Sequence, residues 1–402
     1  MKKNKFVVFR FLIASFTVFY GCNSGKKAQQ EEDTYNPLKP VTIDVTNVND
    51  TDTPLKLSQF AESVSYIYLS EEPLIGDIDI TPVRIIEDTI YIDQTNIYKY
   101  TPDGVFIKKI FSEGQGPGEA LKYVTDFTAF DVKKRQLTFL SRTSGGFVSY
   151  TFDGKFAGKP DFAIKDGRRI LETYFNDYCI YRIDHLGGNE RNRLGPYLFY
   201  AEDVNTGSVF YAYPNTAADE NPTIRVFALL FPNPDMNFIH IDSALWFKHY
   251  VIDTLYSTQD FVTISPRYIF ETDNSFMNLR EFIKFGVGDL DPHREKAKKI
   301  DGILPLPSGG LLITINGKIA LADNTGKISD CTNKQVINDI DEYMKELYIA
   351  YILRNKTFSV HNNHLYFLVD AYKFFEDGNK PPFKELTEDS NPVVVKIKLK
   401  TR

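Results

Sequence analysis

The residues best equipped for chemistry are scattered along the chain, and their spacing decides what each group could do. Asp289, Asp291, His293 and Glu295 alternate over a short run and offer donors for a divalent cation. Pro292 interrupts that run and no glycine stands where a calcium loop must turn, so a solvated acidic loop is the expectation. His361 and His364 flank Asn362-Asn363, in a turn leading into a strand rather than on a helix. No His-Glu-x-x-His motif and no closely spaced cysteine pair accompanies them, so no metal site is expected. Ser144-Gly145-Gly146 and Ser308-Gly309-Gly310 read as turns, and no Gly-x-Ser-x-Gly elbow exposes a nucleophile. Arg168-Arg169 and Arg191-Asn192-Arg193 suit an anion such as a uronate or a sulfate, or simply solvated loops. Trp246, the single tryptophan, could stack on a sugar face, but its apolar neighbourhood fits a core. These patterns name no catalytic residue and no cofactor.

The elements that must position such groups are legible through a repeat. Tyr100-Thr101-Pro102-Asp103-Gly104-Val105-Phe106 returns fifty residues later as Tyr150-Thr151-Phe152-Asp153-Gly154-Lys155-Phe156, without a gap. Between them lies Glu113-Gly114-Gln115-Gly116-Pro117-Gly118-Glu119, which neither helix nor strand tolerates. Short alternating runs precede and follow: Val83–Ile86, Ile90–Ile92, Ile97–Tyr100 and Val105–Ile110, then Val124–Phe130, Gln136–Leu140, Gly146–Thr151 and Lys155-Phe156 onward. Turn-rich stretches such as Glu87-Asp88-Thr89, Asp93–Asn96 and Ser141–Gly145 separate them. Each set of four makes one antiparallel blade, and a strand–turn–strand unit at this interval is the signature of a blade array.

Later copies are degraded. Asp203-Val204-Asn205-Thr206-Gly207 and Asp323-Asn324-Thr325-Gly326-Lys327 are hairpin turns, and Asp253-Thr254-Leu255-Tyr256 echoes Asp88-Thr89-Ile90-Tyr91. The expectation is an all-β fold, a six-bladed β-propeller of four-stranded antiparallel blades with one or two short helical insertions. Ser275–Phe285 and Gln335–Leu353 are the helix candidates; in the second, Val336, Ile340, Tyr343, Leu347 and Tyr351 keep helical spacing, and Thr332 with Gln335 fits a capping box. A first strand at Val41–Val45 is expected to pair with the last, Pro392–Leu399, and close the ring.

Composition sets the outer bounds. Aromatics reach 14% of 402 residues, which favours pleated, packed strands. A net charge of −6 argues against a nucleic-acid partner, which would need a basic footprint. Residues 1–22 carry Lys2, Lys3, Lys5 and Arg10 ahead of the apolar run Phe11–Tyr20 and then Gly21-Cys22. That run is short for a membrane span. A small residue directly before cysteine resembles a bacterial lipoprotein signal, although Phe19 stands where leucine is usual. The resemblance implies lipid attachment at Cys22. Residues 23–40 are polar and read as a flexible tether, leaving 41–402 for the propeller. Cys179 and Cys331 carry no spacing information and are expected as buried apolar residues.

The glycine-rich link, following an Asp-Gly hairpin and preceding a fresh strand, looks like the inter-blade link of NHL-type propellers. With Gly21-Cys22, the Asp-Thr-Ile/Leu-Tyr phrases and the terminal Asn391-Pro392-Val393-Val394, the chain resembles the six-bladed β-propeller lipoproteins of Bacteroides-type bacteria. The resemblance covers about 41–402 and implies a fold and an outer-membrane address, periplasmic or surface-facing, but no reaction. In such a propeller the inter-blade links and the turns between second and third strands open on one face. Asp93, Asn96, Gln115, Glu119 and Arg142 would then stand at that mouth of the channel as ligand contacts. Three readings follow: a membrane-anchored module binding a glycan, peptide or protein; a lyase or hydrolase with its site at the channel mouth; and a structural subunit of an outer-membrane complex.

Overall fold

The computed structural model describes residues 39–401, apart from 77, 79–80, 117, 123–127, 162–167, 185–196, 215–235, 242, 250–251, 277–296 and 377. The leader and most of the tether therefore lie outside the described residues, as do the Asp289–Glu295 run and Arg191-Asn192-Arg193.

Six antiparallel sheets form a six-bladed propeller. Blade 1 spans Val83–Ile86, Thr89–Asp93, Ile97–Tyr100 and Phe106–Lys109; blade 2 spans Ala129–Asp131, Gln136–Ser141, Gly146–Thr151 and Phe156–Gly158. Blade 3 is built from Arg168–Phe175, Tyr178–Asp184, Tyr197–Asp203 and Ser208–Pro214. Blade 4 uses Met236–Ile241, Ala244–His249, Thr254–Thr258 and Ile264–Glu271. Blade 5 uses Ile300–Pro305, Leu311–Ile315, Lys318–Ala322 and Cys331–Thr332. Blade 6 takes Phe358–His361, His364–Val369 and Val393–Leu399 from the end of the chain and Ala61–Tyr68 from its beginning.

The burial pattern follows from the architecture. Middle strands are packed on both faces by neighbouring blades, so Leu311–Ile315 is buried at every position and shows no alternation. The outer strand Phe106–Lys109 alternates because one face meets water. Aromatic side chains fill the wedges between blades. Phe139 and Tyr150 of blade 2 stack with ring centroids 5.8 Å apart, and Phe111, from the link after blade 1, packs 4.7 Å from Phe139. Such pairs add about 0.5–1.5 kcal/mol beyond the area they bury.

The ring closes through a different strand from the one expected. Val393–Leu399 pairs antiparallel with Ala61–Tyr68, whereas Val41–Asp44 runs parallel to Ile264–Glu271 as a fifth strand on blade 4. Asp50–Thr51 caps blade 5 in the same parallel manner. Alternation identifies Val41–Asp44 as a strand but says nothing about its partner.

The long helix over Gln335–Leu353 is also corrected. Val336–Ile337 pairs with Glu346–Leu347, and only Ile349–Asn355 is helical. Asn338 Oδ1 accepts the backbone N–H groups of Ile340 and Asp341, and Asp341 Oδ1 accepts that of Tyr343. These side-chain turns capture the donors that a helix would use. Among the described residues this is the one α-helix, joined by 3-10 turns at Leu57–Gln59 and Ala371–Phe375. Of the Ser275–Phe285 candidate, all but Ser275 and Phe276 lie outside the described residues.

Candidate functional site in the central channel

The innermost strands of all six blades surround a cavity of about 1050 Å³. Arg84 lines it from blade 1, Phe130 from blade 2, Glu172 and Thr173 from blade 3, His240 from blade 4, Ile303 from blade 5 and Phe358 to His361 from blade 6. Its volume is at the upper end of ordinary small-molecule sites. One end is formed by the turns between first and second strands, including Glu87, Lys133, Asn176, Ser243 and Asn362.

Local sequence builds that rim. Glu87 and Asp88 both have positive φ (49° and 62°), as do Asn362 and Asn363 (50° and 59°). With Ile86 paired to Thr89 and His361 to His364, these are two-residue hairpins whose twist matches the strands. Polar contacts then pass from blade to blade around the mouth. His361 Nε2 lies 3.1 Å from Asp88, Glu87 is ion-paired with Arg135, and Lys133 Nζ lies 2.6 Å from Asp177. Asn176 Nδ2 donates to the Gln259 carbonyl at 2.7 Å. These pairs are largely solvated, so each contributes little to stability, about 0–1 kcal/mol. The two histidines face different partners: His364 Nδ1 lies 2.6 Å from the Asn362 carbonyl. Among the described residues no three His, Cys, Asp or Glu side chains gather as metal ligands would.

Deeper in the channel the chemistry changes. Arg84 Nη1 donates to the Phe358 carbonyl at 2.9 Å, bridging blade 1 to blade 6. Burial lowers its pKa from the usual guanidinium value, and the charge of Asp93 acts in the opposite sense. The group nonetheless stays cationic. His240 opens onto the channel but is surrounded by protein. That burial, with the charge of Arg84 second, lowers its pKa to about 4. His240 is therefore neutral at pH 7. Its Nε2 lies 2.8 Å from Thr173 Oγ1, which also donates to the Tyr174 carbonyl at 3.2 Å.

The five residues singled out from the sequence stand around the blade 1–blade 2 junction, and none lines this cavity. Asp93 is buried, accepts the backbone N–H and hydroxyl of Thr128 at 3.0 and 2.7 Å, and pairs with Lys122 at 3.1 Å. Asn96 is also buried and donates to Glu113 at 3.3 Å. Glu119 folds back on the glycine-rich link, accepting the Gly116 N–H at 2.8 Å. Gln115, Glu119 and Arg142 are exposed. Trp246 packs between blades 4 and 5, with its ring centroid 6.3 Å from that of Tyr268. Arg168 and Arg169 begin the first strand of blade 3.

Arg84, Thr173 and His240 were not singled out from the sequence. For Arg84 the one signal is a polar residue within an otherwise apolar innermost strand, Val83-Arg84-Ile85-Ile86. That signal becomes visible only after strands are assigned to their place in a blade.

Fold and channel together define a six-bladed β-propeller with an open axial cavity. The chain belongs to the family described as Domain of unknown function (DUF4934), whose profile matches residues 40–398. Among solved structures, a candidate exported protein of Bacteroides fragilis superposes with a TM-score of 0.54 at 12% identity, covering 90% of this chain and 100% of that one. A DUF4221 family member from Bacteroides vulgatus gives 0.46 at 11% identity, covering 87% and 99%. The comparison with curated proteins gave no match.

Proposed function

We propose that this protein is a lipid-anchored, extracytoplasmic binding module that holds a small ligand in its central channel. The observation that carries this reading is the cavity of about 1050 Å³ to which every blade contributes an innermost strand. A ligand there meets apolar side chains such as Phe130, Ile239, Ile303 and Phe358 interleaved with many polar and charged ones, Arg84, Thr173 and His240 among them. Gly21-Cys22 after a basic and apolar leader supports the anchor, and the fold shared with a candidate exported protein supports the address. Among the described residues no helix is long and apolar enough to cross a membrane.

Two experiments test the reading. Screening the purified full-length protein against glycan and peptide arrays should give a ligand whose binding is lost in Thr173→Trp, which fills the channel. Loss instead on replacing Gln115, Glu119 and Arg142 by alanine would move the site to the glycine-rich link and overturn the channel reading. For the anchor, Cys22→Ala should shift the protein from the membrane to the soluble fraction; continued membrane association would reject lipidation at this residue.

A further inference from the structure

We propose that the channel selects ligands carrying an oxyanion, a carboxylate or a sulfate, and that Arg84 is the residue that pairs with it. This rests on the channel being the binding site.

The argument starts from charge compensation. Arg84 rises from an apolar strand into the cavity, and of its five N–H donors the structure uses one, toward the Phe358 carbonyl. No carboxylate of the described residues forms an ion pair with it. The carboxylate whose charge reaches it, Asp93, is already engaged by Lys122 at 3.1 Å and by Thr128. At the mouth the opposite holds, because Glu87 with Arg135 and Lys133 with Asp177 match charge for charge. Arg84 is half-buried, and its unused donors face the open cavity rather than protein acceptors. A planar or tetrahedral oxyanion matches the guanidinium fork in a two-pronged geometry. His240 and Thr173 add neutral hydrogen-bonding groups to the same cavity.

The test uses the purified full-length protein with sodium glucuronate, sodium sulfate and neutral glucose at constant ionic strength. Thermal midpoints and the NMR signals of the His240 ring, assigned with H240Q, are the readouts. One or both anions should raise the midpoint and shift the His240 signals, with glucose giving no comparable effect. A glucuronate response identifies an organic acid, and a response to sulfate alone identifies an inorganic anion. Arg84→Met should weaken the anion response at least tenfold while leaving the ligand-free midpoint unchanged or higher, and Arg84→Lys should keep part of the response. An undiminished response in Arg84→Met overturns the proposal. So does a lowered ligand-free midpoint in that variant with no anion response in the wild type, which would make Arg84 a clamp on Phe358. If neutral ligands bind the channel and anions do not, the oxyanion inference fails alone. If no ligand of any charge perturbs His240, the channel reading fails with it.

Discussion

Gly104 lies against the Tyr68 carbonyl so closely that a Cβ added to it would overlap that oxygen. Gly104 belongs to the last turn of blade 1 and Tyr68 ends the outer strand of blade 6, so the contact is a seam between blades. Ser70 N donates to the Gly104 carbonyl at 2.9 Å across the same seam. The repeat reproduces it: a Cβ on Gly154 would come 2.6 Å from the Ile110 carbonyl, and one on Gly326 would meet Thr42 of the strand added to blade 4. The Asp-Gly phrase is therefore required twice over, for positive φ (87° at Gly104) and for close approach.

Gly104→Ala should cost about 2–4 kcal/mol, combining left-handed backbone strain with overpacking. Gly207 has φ of 65°, but a Cβ added there would meet nothing within 4 Å, so Gly207→Ala should cost only about 1–2 kcal/mol. Urea unfolding of the two variants checks the difference. Equal losses would show that the seam contact is irrelevant.

Lys122 and Asp93 form an ion pair almost wholly withdrawn from water, at 1% and 0% side-chain exposure. Lys122→Met strands the carboxylate and should destabilise the protein by about 3–5 kcal/mol, whereas Lys122→Met with Asp93→Asn should recover much of the loss. Chemical denaturation of the single and double variants measures the coupling.

Stability should carry a pH signature from His240. Its folded pKa is about 4 against an ordinary 6.5, so between those values the unfolded chain takes up a proton that the folded chain does not. Stability contributed by neutral His240 is complete above 6.5 and declines as pH falls toward 4. The wild-type thermal midpoint should therefore drop more between pH 7.5 and 4.5 than that of His240→Gln.

Cys179 and Cys331 are both buried free thiols in different blades. Burial raises the Cys179 pKa well above the ordinary value, and burial followed by the charge of Asp50 raises that of Cys331 to about 11. Both should resist a thiol reagent such as DTNB in the native protein at pH 8 and react promptly in guanidinium. Fast native labelling of either would contradict their placement.

What the sequence determined by itself is the repeat and its local consequences. Alternation, Asp-Gly turns and a glycine-rich link encode strands, hairpins and links, because backbone sterics act over a few residues. Those were enough for six four-stranded blades. Partner choice was decided by tertiary structure. Val41–Asp44 and Ala61–Tyr68 are both readable strands, yet only the second closes the ring, since hydrogen-bonding edges do not advertise their partners. Asx turns at Asn338 and Asp341 overrode helical spacing after Val336. The channel was least legible: Arg84 and His240 are far apart in sequence, and only the closed ring brings both to one axis, where burial, and for His240 the charge of Arg84, sets their chemistry.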